Sequence, residues 1–284
     1  MSSLYFYKNI NSKFISIEGK DNKEFLQNII TNDIKLCTNE SFLYSCLLSP
    51  QGKFSADFFI FKYHDNFIIE THDFFYEKLI KKLMLYKLRS NININKLENM
   101  KSFVVFGDIE KDNNLFIYSK DPRHNNIGNK LIHTSNTPTL LKGIKEIDEN
   151  EYHEILIKNT VPLSHYDLEE NKSLLLENNF ENINSISWDK GCYIGQEITA
   201  RMKYRALLKK RIYSLSLLNS SPNFLISSPK TQQILKEDEK ELGKIISIKN
   251  KSILAMLKIE LAEKKIKLKQ PIITDDGLVL NFVI

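Results

Sequence analysis

Two apolar runs joined by a short turn constrain the fold of this 284-residue chain more than any other feature. The runs read FLYSCLL over 42–48 and FSADFFIFKY over 54–63, and the turn sequence SPQG at 49–52 joins them. Dense aromatic and apolar residues on both sides of a Pro/Gly turn predict an antiparallel hairpin that is buried in a core. A third run, FIIETH at 67–72, follows a turn at 64–66 and predicts a third strand.

Helix patterns alternate with these strands along the first half of the chain. Asp21 and Glu24 have the spacing of a capping box, which predicts that a helix begins immediately after Asp21. Residues 73–89 have an amphipathic pattern and predict a second helix. Asp148 and Glu151 repeat the capping-box spacing and predict a third helix. The chain is therefore predicted to be of the α+β class.

The rest of the chain predicts loops and then a separate β-rich region. Residues 120–142 are rich in Pro, Asn, Gly and His and predict a loop, and residues 164–187 have little periodicity. Short β runs with turns between them follow and predict a small β-barrel or sandwich. We therefore expect an α+β region over 1–208 and a C-terminal β-barrel domain over 209–284.

The composition argues against several classes of protein. Hydrophobic residues make up 42% and charged residues 26% of the chain, as in globular proteins, and no apolar run predicts a membrane span. The 40 basic and 35 acidic residues give a net charge of +5, too small an excess to predict direct binding to nucleic acid. The N-terminus has neither an apolar signal core nor an arginine-rich transit segment, so we expect a protein of the bacterial cytoplasm.

The cysteines and histidines do not predict a metal site or a disulfide framework. Cys37, Cys46 and Cys192 form no C-x-x-C pair, and the six histidines are scattered without ligand spacing. Cys37 and Cys46 lie in or beside apolar stretches, so we expect both thiols to be buried and inert.

The chemistry of the sequence is concentrated in KGCYIGQE at 190–197. Gly191 and Gly195, two of only nine glycines, flank Cys192. Glycines allow a sharp bend and the close approach of a ligand, and a cation such as Lys190 favours the reactive thiolate. This pattern predicts a thiol presented on a turn that faces a ligand. The alternative interpretation is that Gly191 only serves the turn and Cys192 fills the core.

KGCYIGQE resembles the signature Lys-Gly-Cys-aromatic-x-Gly-Gln-Glu of the YgfZ-type folate-binding proteins, which are relatives of the aminomethyltransferase (T-protein) of the glycine cleavage system. The resemblance continues in GKDNKEFLQNIITNDI, LLSPQGKFSADFFIF and ARMKYRALLKKRIYSL, so it extends over nearly the whole chain. It implies a T-protein-like ring of α/β subdomains around a central folate pocket, followed by a small C-terminal β-barrel.

The resemblance also implies a function, a cofactor and partners. The family supports the assembly or repair of iron–sulfur proteins, and its implied ligand is tetrahydrofolate or a derivative. Its partners would be iron–sulfur client proteins or cluster-assembly factors. The functional cysteine of the signature maps to Cys192. The other signature positions carry over as candidate folate-binding residues: Lys190, Gly191, Gly195, Gln196 and Glu197.

The chain departs from the family pattern at several positions. Asn28 stands where a glycine is usual, and Tyr-Arg-Ala at 204–206 stands where His-Arg-Gly is common. The aminomethyltransferases have paired aspartates after the hairpin glycine, whereas here Ala56 precedes a single Asp57. Asp57 is a candidate hydrogen-bond partner of a pterin, or else a polar residue of an edge strand. The single aspartate favours an accessory factor over a conventional turnover enzyme.

Arg201 and Arg205 follow Glu197 on one face of the predicted helix. Arg201 either pairs with Glu197 at the surface or binds the glutamate tail of a folate. Two other functions remain open from the sequence: a folate-dependent aminomethyl or one-carbon transferase, and a tRNA-modification protein.

Overall fold

The computed structural model describes residues 4–109, 115–136, 138–218, 233–275 and 277–283. Within these ranges the chain forms three β-sheets and six α-helices. None of the described helices combines the length and the apolar composition needed to cross a membrane.

The strands, in chain order, are β1 Tyr5–Asn9, β2 Ser12–Glu18, β3 Leu43–Leu48, β4 Phe54–Tyr63, β5 Asn66–His72, β6 Asn93–Leu97, β7 Lys101–Phe106, β8 Leu115–Lys120, β9 Asn129–His133, β10 Lys145–Ile147, β11 Lys210–Leu217, β12 Ile234–Glu237, β13 Lys240–Lys249, β14 Ser252–Lys258, β15 Ile272–Ile273 and β16 Val279–Phe282. The helices are α1 Asn22–Ile29, α2 Asp73–Lys87, α3 Glu149–Lys158, α4 Ser164–Asp167, α5 Gln196–Tyr204 and α6 Ile259–Leu268.

The predicted hairpin is part of the first sheet, which has the strand order β3-β4-β5-β2-β6. All of its neighbouring strands pair antiparallel. Phe14 of β2 and Phe59 of β4 both lie opposite Glu70 of β5. Cross-strand partners share one face of a sheet, so these strands present a common face that carries a buried carboxylate among aromatic rings.

The second sheet has the order β10-β1-β7-β9-β8. Its only parallel pair among the described strands is β1 with β10, and α3 follows β10 directly. Buried side chains of both sheets and of α1, α2 and α3 share one hydrophobic cluster, which includes Phe54, Leu79 and Leu156. The first two sheets therefore form one packed unit.

The third sheet has the order β12-β13-β14-β11-β16-β15 and is the barrel-like, nearly closed C-terminal sheet that the sequence predicts. It has its own apolar cluster, which α6 covers through Ala262. Ile157 of α3 packs with Ile212, Leu254 and Met256 of this sheet. The C-terminal sheet thus rests on α3.

Three predictions about local structure are wrong. Asp21 precedes α1 but makes no side-chain cap, because its carboxylate accepts a hydrogen bond from the backbone N–H of Asn91 at 2.7 Å. The segment predicted as a loop contains β9, and the C-terminal region predicted as all β contains α6. The capping box of Asp148 and Glu151 is present as predicted.

Candidate functional site

A cavity lies between the polar face of the first sheet and the second sheet. The space between its lining atoms is about 550 Å³ when its open mouth is included. The first sheet contributes side chains of β2, β4 and β5, and the second contributes Asn9, Val104 and Lys130. Tyr152 of α3 and the segment 163–165 close the remaining side.

Asp57 is the one predicted ligand-binding residue that lines this cavity. It lies on β4 opposite Cys46, and its Oδ2 accepts a hydrogen bond of 2.6 Å from the Tyr44 hydroxyl. Burial, and then the neighbouring Asp57 carboxylate, raise the pKa of Tyr44, so this hydroxyl stays a donor. Tyr44 therefore fixes the orientation of the Asp57 carboxylate.

Glu70 and Lys130 form a buried ion pair across the cavity. The ammonium lies 2.9 Å from Glu70 Oε2, and the two side chains are 2% and 3% exposed. The Ser12 hydroxyl donates to Glu70 Oε1 at 2.7 Å, and the Lys130 ammonium lies 4.0 Å from the centre of the Phe59 ring. Buried ions are retained where charge pairing and hydrogen bonds offset their desolvation, so this pair is a fixed polar group in the cavity wall.

A second buried cation, Arg123, completes the polar lining. Its guanidinium donates to both oxygens of Asp121 and, at 2.9 Å, to the Tyr152 hydroxyl. The guanidinium carbon also lies 4.9 Å from the centre of the Phe59 ring. The Phe59 ring therefore lies close to two buried cations, Lys130 and Arg123. Each cation is already paired with a carboxylate.

His72 and His165 stack at the mouth of the cavity with ring centres 3.6 Å apart. Burial lowers the pKa of His72, and burial together with His72 lowers the pKa of His165 to about 3, so both rings are neutral at pH 7. His72 Nδ1 accepts a hydrogen bond from the backbone N–H of Phe74, so the neutral ring carries its proton on Nε2. Buried His72 Nε2 and Ser164 Oγ have no hydrogen-bond partner among the described residues.

These histidines also lie near Glu149, and the three side chains offer ligand atoms within 4.8 Å of one another. A metal ion would have to replace the Nε2 proton of His72, because Nδ1 is used by the backbone of α2. That requirement makes the group a poor divalent-metal site. It suits a ligand that accepts a hydrogen bond from His72.

Lys190 anchors the turn that carries Cys192. Its ammonium donates to three backbone carbonyls at the C-terminal end of α1 and beyond it: Gln27 at 2.7 Å, Ile30 at 2.6 Å and Asn32 at 2.9 Å. Burial lowers the pKa of Lys190 to about 8, and Asp33 opposes the shift. All three ammonium protons are used here, so the predicted folate contact of Lys190 would require one of these bonds to break.

Gly195 holds the other end of the turn against the β3–β4 hairpin. Its φ is +81°, and a Cβ at this position would lie 2.4 Å from the carbonyl oxygen of Ser49. Gly52 of the hairpin turn is also crowded, because a Cβ there would lie 2.8 Å from the carbonyl oxygen of Gly195. These two glycines let two backbones touch, which only residues without a side chain allow.

Gly191 and Cys192 are exposed. A Cβ at Gly191 would meet no atom within 4 Å, so the backbone does not require glycine at this position. Tyr193, which follows, is buried beneath the Lys190 ammonium. The turn therefore presents the thiol to solvent between two buried anchors, and the alternative of a core-filling Cys192 is wrong.

The remaining signature residues belong to the start of α5. Gln196 Oε1 accepts from the backbone N–H of Tyr193 at 3.3 Å, and Glu197 pairs with Arg201 at 2.5 Å on an exposed helix face. None of the signature residues at 190–197, nor Arg201, lines the central cavity. The structure therefore separates the sequence-predicted site into two places, a cavity with Asp57 and a surface turn with Cys192.

Sequence reasoning did not identify the other cavity residues, namely Glu70, His72, Arg123, Lys130 and Ser164. Glu70 had a signal, because a charged residue inside the apolar run FIIETH must be paired if that strand is buried. Lys130 and Arg123 lie in the segment that we predicted as a loop, and their partners are distant in sequence. No local pattern connects them.

The structure matches the glycine cleavage system aminomethyltransferase T from Bartonella henselae with a TM-score of 0.71, covering 99% of this chain and 85% of that chain at 10% identity. This likeness confirms the predicted fold, a T-protein-like arrangement followed by a small β-barrel.

The curated relatives are iron–sulfur cluster assembly factors named IBA57, and together with the fold they confirm the family resemblance seen in the signature. The factor from Mycosarcoma maydis is 27% identical over 71% of this chain and 54% of its own length. The factors from Neurospora crassa and Homo sapiens are 28% and 26% identical over 70% and 73% of this chain. The chain spans 51% and 65% of these two, respectively, so it matches half to just under two thirds of each relative. No protein-family model matches the chain.

Proposed function

We propose that this protein is a folate-binding accessory factor that supports the assembly or repair of iron–sulfur proteins through Cys192. The observation that carries the proposal is the exposed thiol on a turn anchored by Lys190 and Gly195. The names of the curated relatives assign iron–sulfur cluster assembly to those proteins.

Cys192 does not line the central cavity. We therefore infer that the thiol meets a partner protein or its cluster, rather than the folate. Cysteine thiolates are strong ligands of iron and also nucleophiles toward sulfur species, and either chemistry requires access from outside. Iron–sulfur client proteins or cluster-assembly factors are the proposed partners.

We propose that the central cavity binds the pterin of a reduced folate. A pterin carries several ring N–H donors and a carbonyl acceptor in one plane. Asp57 and Glu70 are acceptors, whereas His72 Nε2 and Ser164 Oγ are buried polar atoms without a partner among the described residues. Phe59 and Phe75 supply apolar surface for a flat ring. Bound folate would supply a one-carbon carrier next to these groups, and the chain's residues would orient it and exclude water.

The same cavity supports an accessory role more than aminomethyl transfer. Asp57 is the one carboxylate that the hairpin strand offers, because Ala56 is buried at the position of the second aspartate. We therefore propose that the protein is not a conventional turnover enzyme. A role in tRNA modification would be indirect, through iron–sulfur enzymes that act on tRNA.

The relatives' names place those proteins in mitochondria. For this chain we propose the bacterial cytoplasm.

Two measurements test the proposal. Expression of the chain in a bacterial strain that lacks its own YgfZ-type protein should restore the activity of iron–sulfur enzymes. Isothermal titration with tetrahydrofolate should show binding at micromolar concentrations, equivalent to about −8 kcal/mol. Production of methylene-tetrahydrofolate from an aminomethyl donor would show instead that the protein is a transferase.

A further inference from the structure

The connection between α5 and β11 carries four exposed side chains of two kinds. Tyr204 is 72% exposed and Leu207 is 51% exposed, and the cations Arg205 and Lys209 are exposed beside them in the sequence. We call these four residues the 204–209 surface. Tyrosine and arginine are enriched at the centres of protein–protein interfaces, so this composition is typical of a docking surface.

The backbone of this connection is held in place. The N–H of Leu207 donates to the carbonyl oxygen of Met202 at 3.2 Å, and the carbonyl oxygen of Lys209 accepts from the N–H of Ile259 at 3.0 Å. Between these bonds the side chain of Leu208 packs against the main hydrophobic cluster. The 204–209 surface is therefore preformed, and a partner that binds it does not have to order a loop first.

The 204–209 surface adjoins the turn that presents Cys192. The ring of Tyr204 meets the ring of Trp188 edge-on, with ring centres 5.9 Å apart. The Lys203 ammonium also lies 5.6 Å from the centre of the Trp188 ring. Trp188 precedes the exposed thiol by four residues, so a protein bound to Tyr204 can reach Cys192 at the same time.

The charge of this region is one-sided. Residues 201–211 include six basic residues and no acidic residue. Four of the six have carboxylate neighbours, in the pairs Arg201–Glu197, Lys203–Glu181, Lys210–Glu177 and Arg211–Glu263. Arg205 and Lys209 form no ion pair with any residue in the described part of the chain. The unpaired positive charge is thus concentrated on the two sides of Leu207, and it is complementary to carboxylates that flank an apolar site.

We propose that the 204–209 surface docks an acidic patch on the partner protein that Cys192 serves, an inference that rests on the proposed function. Carboxylates of the partner pair with Arg205 and Lys209, and an apolar recess between them receives Leu207 and Tyr204. Docking holds the partner beside the thiol and so raises its effective concentration there.

The charge pattern favours a protein over a nucleic acid as the occupant. A nucleic acid presents an unbroken row of phosphates, and its affinity depends on how many of them basic residues neutralise. Carboxylates surround this surface and would repel such a row, namely Glu177, Glu181, Glu197 and Glu263. A protein can instead place two carboxylates opposite Arg205 and Lys209 alone.

The test measures the specific activity of an iron–sulfur enzyme in a bacterial strain that lacks its own YgfZ-type protein and expresses variants of the full chain at a low level. Arg205→Glu/Lys209→Glu should lower the restored activity about tenfold, because like charges then face each other across the interface. The matched control, Lys264→Glu/Lys267→Glu, makes the same charge change on the exposed face of α6 and should restore activity like the wild type.

A second pair of variants tests the apolar contact. Leu207→Ser should lower the restored activity about threefold, whereas Leu268→Ser, at a site 53% exposed on α6, should not. Thermal unfolding and the rate of Cys192 alkylation by iodoacetamide should match the wild type in all four variants. About tenfold higher expression should recover the activity of the docking variants but not of Cys192→Ser, because mass action overcomes weak binding and does not replace a thiol.

Wild-type activity of Arg205→Glu/Lys209→Glu at low expression would overturn the inference and leave the proposed function intact. An equal loss in the α6 control, or no recovery at high expression, would also overturn it, because the effect would then not be one of docking. Binding of bulk tRNA by the wild type that the double variant loses in a mobility-shift assay would assign the surface to nucleic acid instead. If the wild type itself restores no activity, the proposed function fails, and this inference fails with it.

Discussion

The ammonium of Lys190 lies 2.6 Å from the carbonyl oxygen of Ile30, at the end of a helix that is 160 residues earlier in the chain. This bond, with those to Gln27 and Asn32, fastens the cysteine turn to the first sheet-and-helix unit. The lysine of the signature therefore holds the turn in place, and the cysteine two residues later is exposed to solvent.

Lys190→Met should lower the free energy of unfolding by about 3 kcal/mol, because three carbonyls lose a charged donor and methionine cannot replace it. Urea denaturation measures the loss. Lys23→Met, on the exposed face of α1, is the matched control and should change stability by less than about 0.5 kcal/mol. Equal losses in the two variants would mean that the three bonds contribute nothing specific.

The two signature glycines should respond differently to alanine. Gly195→Ala introduces a Cβ at 2.4 Å from a backbone oxygen and at a positive φ, so a loss of more than about 2 kcal/mol is expected. Gly191→Ala should be neutral or stabilise by a few tenths of a kcal/mol, since nothing lies within 4 Å of the new methyl group. Thermal unfolding of both variants measures the two effects. A larger loss of stability in Gly191→Ala than in Gly195→Ala would show that the backbone of the turn differs from the one described.

Alkylation should distinguish the three cysteines in the native protein. Burial raises the pKa of Cys37 to about 12 and also raises the pKa of Cys46, whereas Cys192 is exposed. Iodoacetamide at pH 8 should therefore modify Cys192 alone, as read by peptide mass spectrometry. Denatured protein, in which all three thiols react, is the control. Equal labelling of Cys37 in the folded state would contradict the burial seen here.

Stability should fall in acid because of His165. Its folded pKa, about 3, lies below the ordinary value of 6.5, so between these values the unfolded chain binds a proton that the folded chain does not. The free energy of unfolding therefore decreases as the pH falls from 6.5 toward 3. His165→Gln should flatten this limb of the curve in urea denaturation, while His64→Gln, in the exposed turn between β4 and β5, should not. Parallel curves of unfolding free energy against pH for the wild type and His165→Gln would show that His165 does not cause the loss of stability in acid.

Asp57→Asn should weaken tetrahydrofolate binding about tenfold and leave the fold intact, because the asparagine oxygen can still accept from Tyr44 but carries no charge. Asp65→Asn, on an exposed turn, is the control and should bind like the wild type. Titration calorimetry measures both. Unchanged affinity in Asp57→Asn would show that this carboxylate does not contact the ligand.

The sequence predicts the first hairpin, α2, the capped start of α3 and the C-terminal sheet, because each has a strong local pattern. It does not predict β9, since NKLIH is short and follows a stretch with turn composition, and its burial comes from β7 and β8 on either side. It wrongly predicts that Asp21 caps α1, because the Asp21 carboxylate accepts a hydrogen bond from the backbone N–H of Asn91, which is far along the chain.

The candidate site is predicted only in part for the same reason. Cys192 is found from a contiguous signature, whereas the cavity is assembled from residues such as Glu70 and Lys130, which are 60 positions apart. The signature also predicts that Lys190 contacts the ligand. In the structure its ammonium instead donates hydrogen bonds to three backbone carbonyls. Lys190 therefore stabilises the fold, and the sequence does not reveal this because its hydrogen-bond partners are distant along the chain.

The central claim is that Cys192 acts chemically in support of iron–sulfur proteins. The most direct measurement is the specific activity of an iron–sulfur enzyme in a strain that lacks its own YgfZ-type protein and expresses either wild type or Cys192→Ser. Asp189→Asn, an exposed neighbour in the same turn, is the control. We predict that wild type and Asp189→Asn restore the activity and that Cys192→Ser, folded and present at the same level, does not. Restoration by Cys192→Ser to the wild-type level would contradict the account.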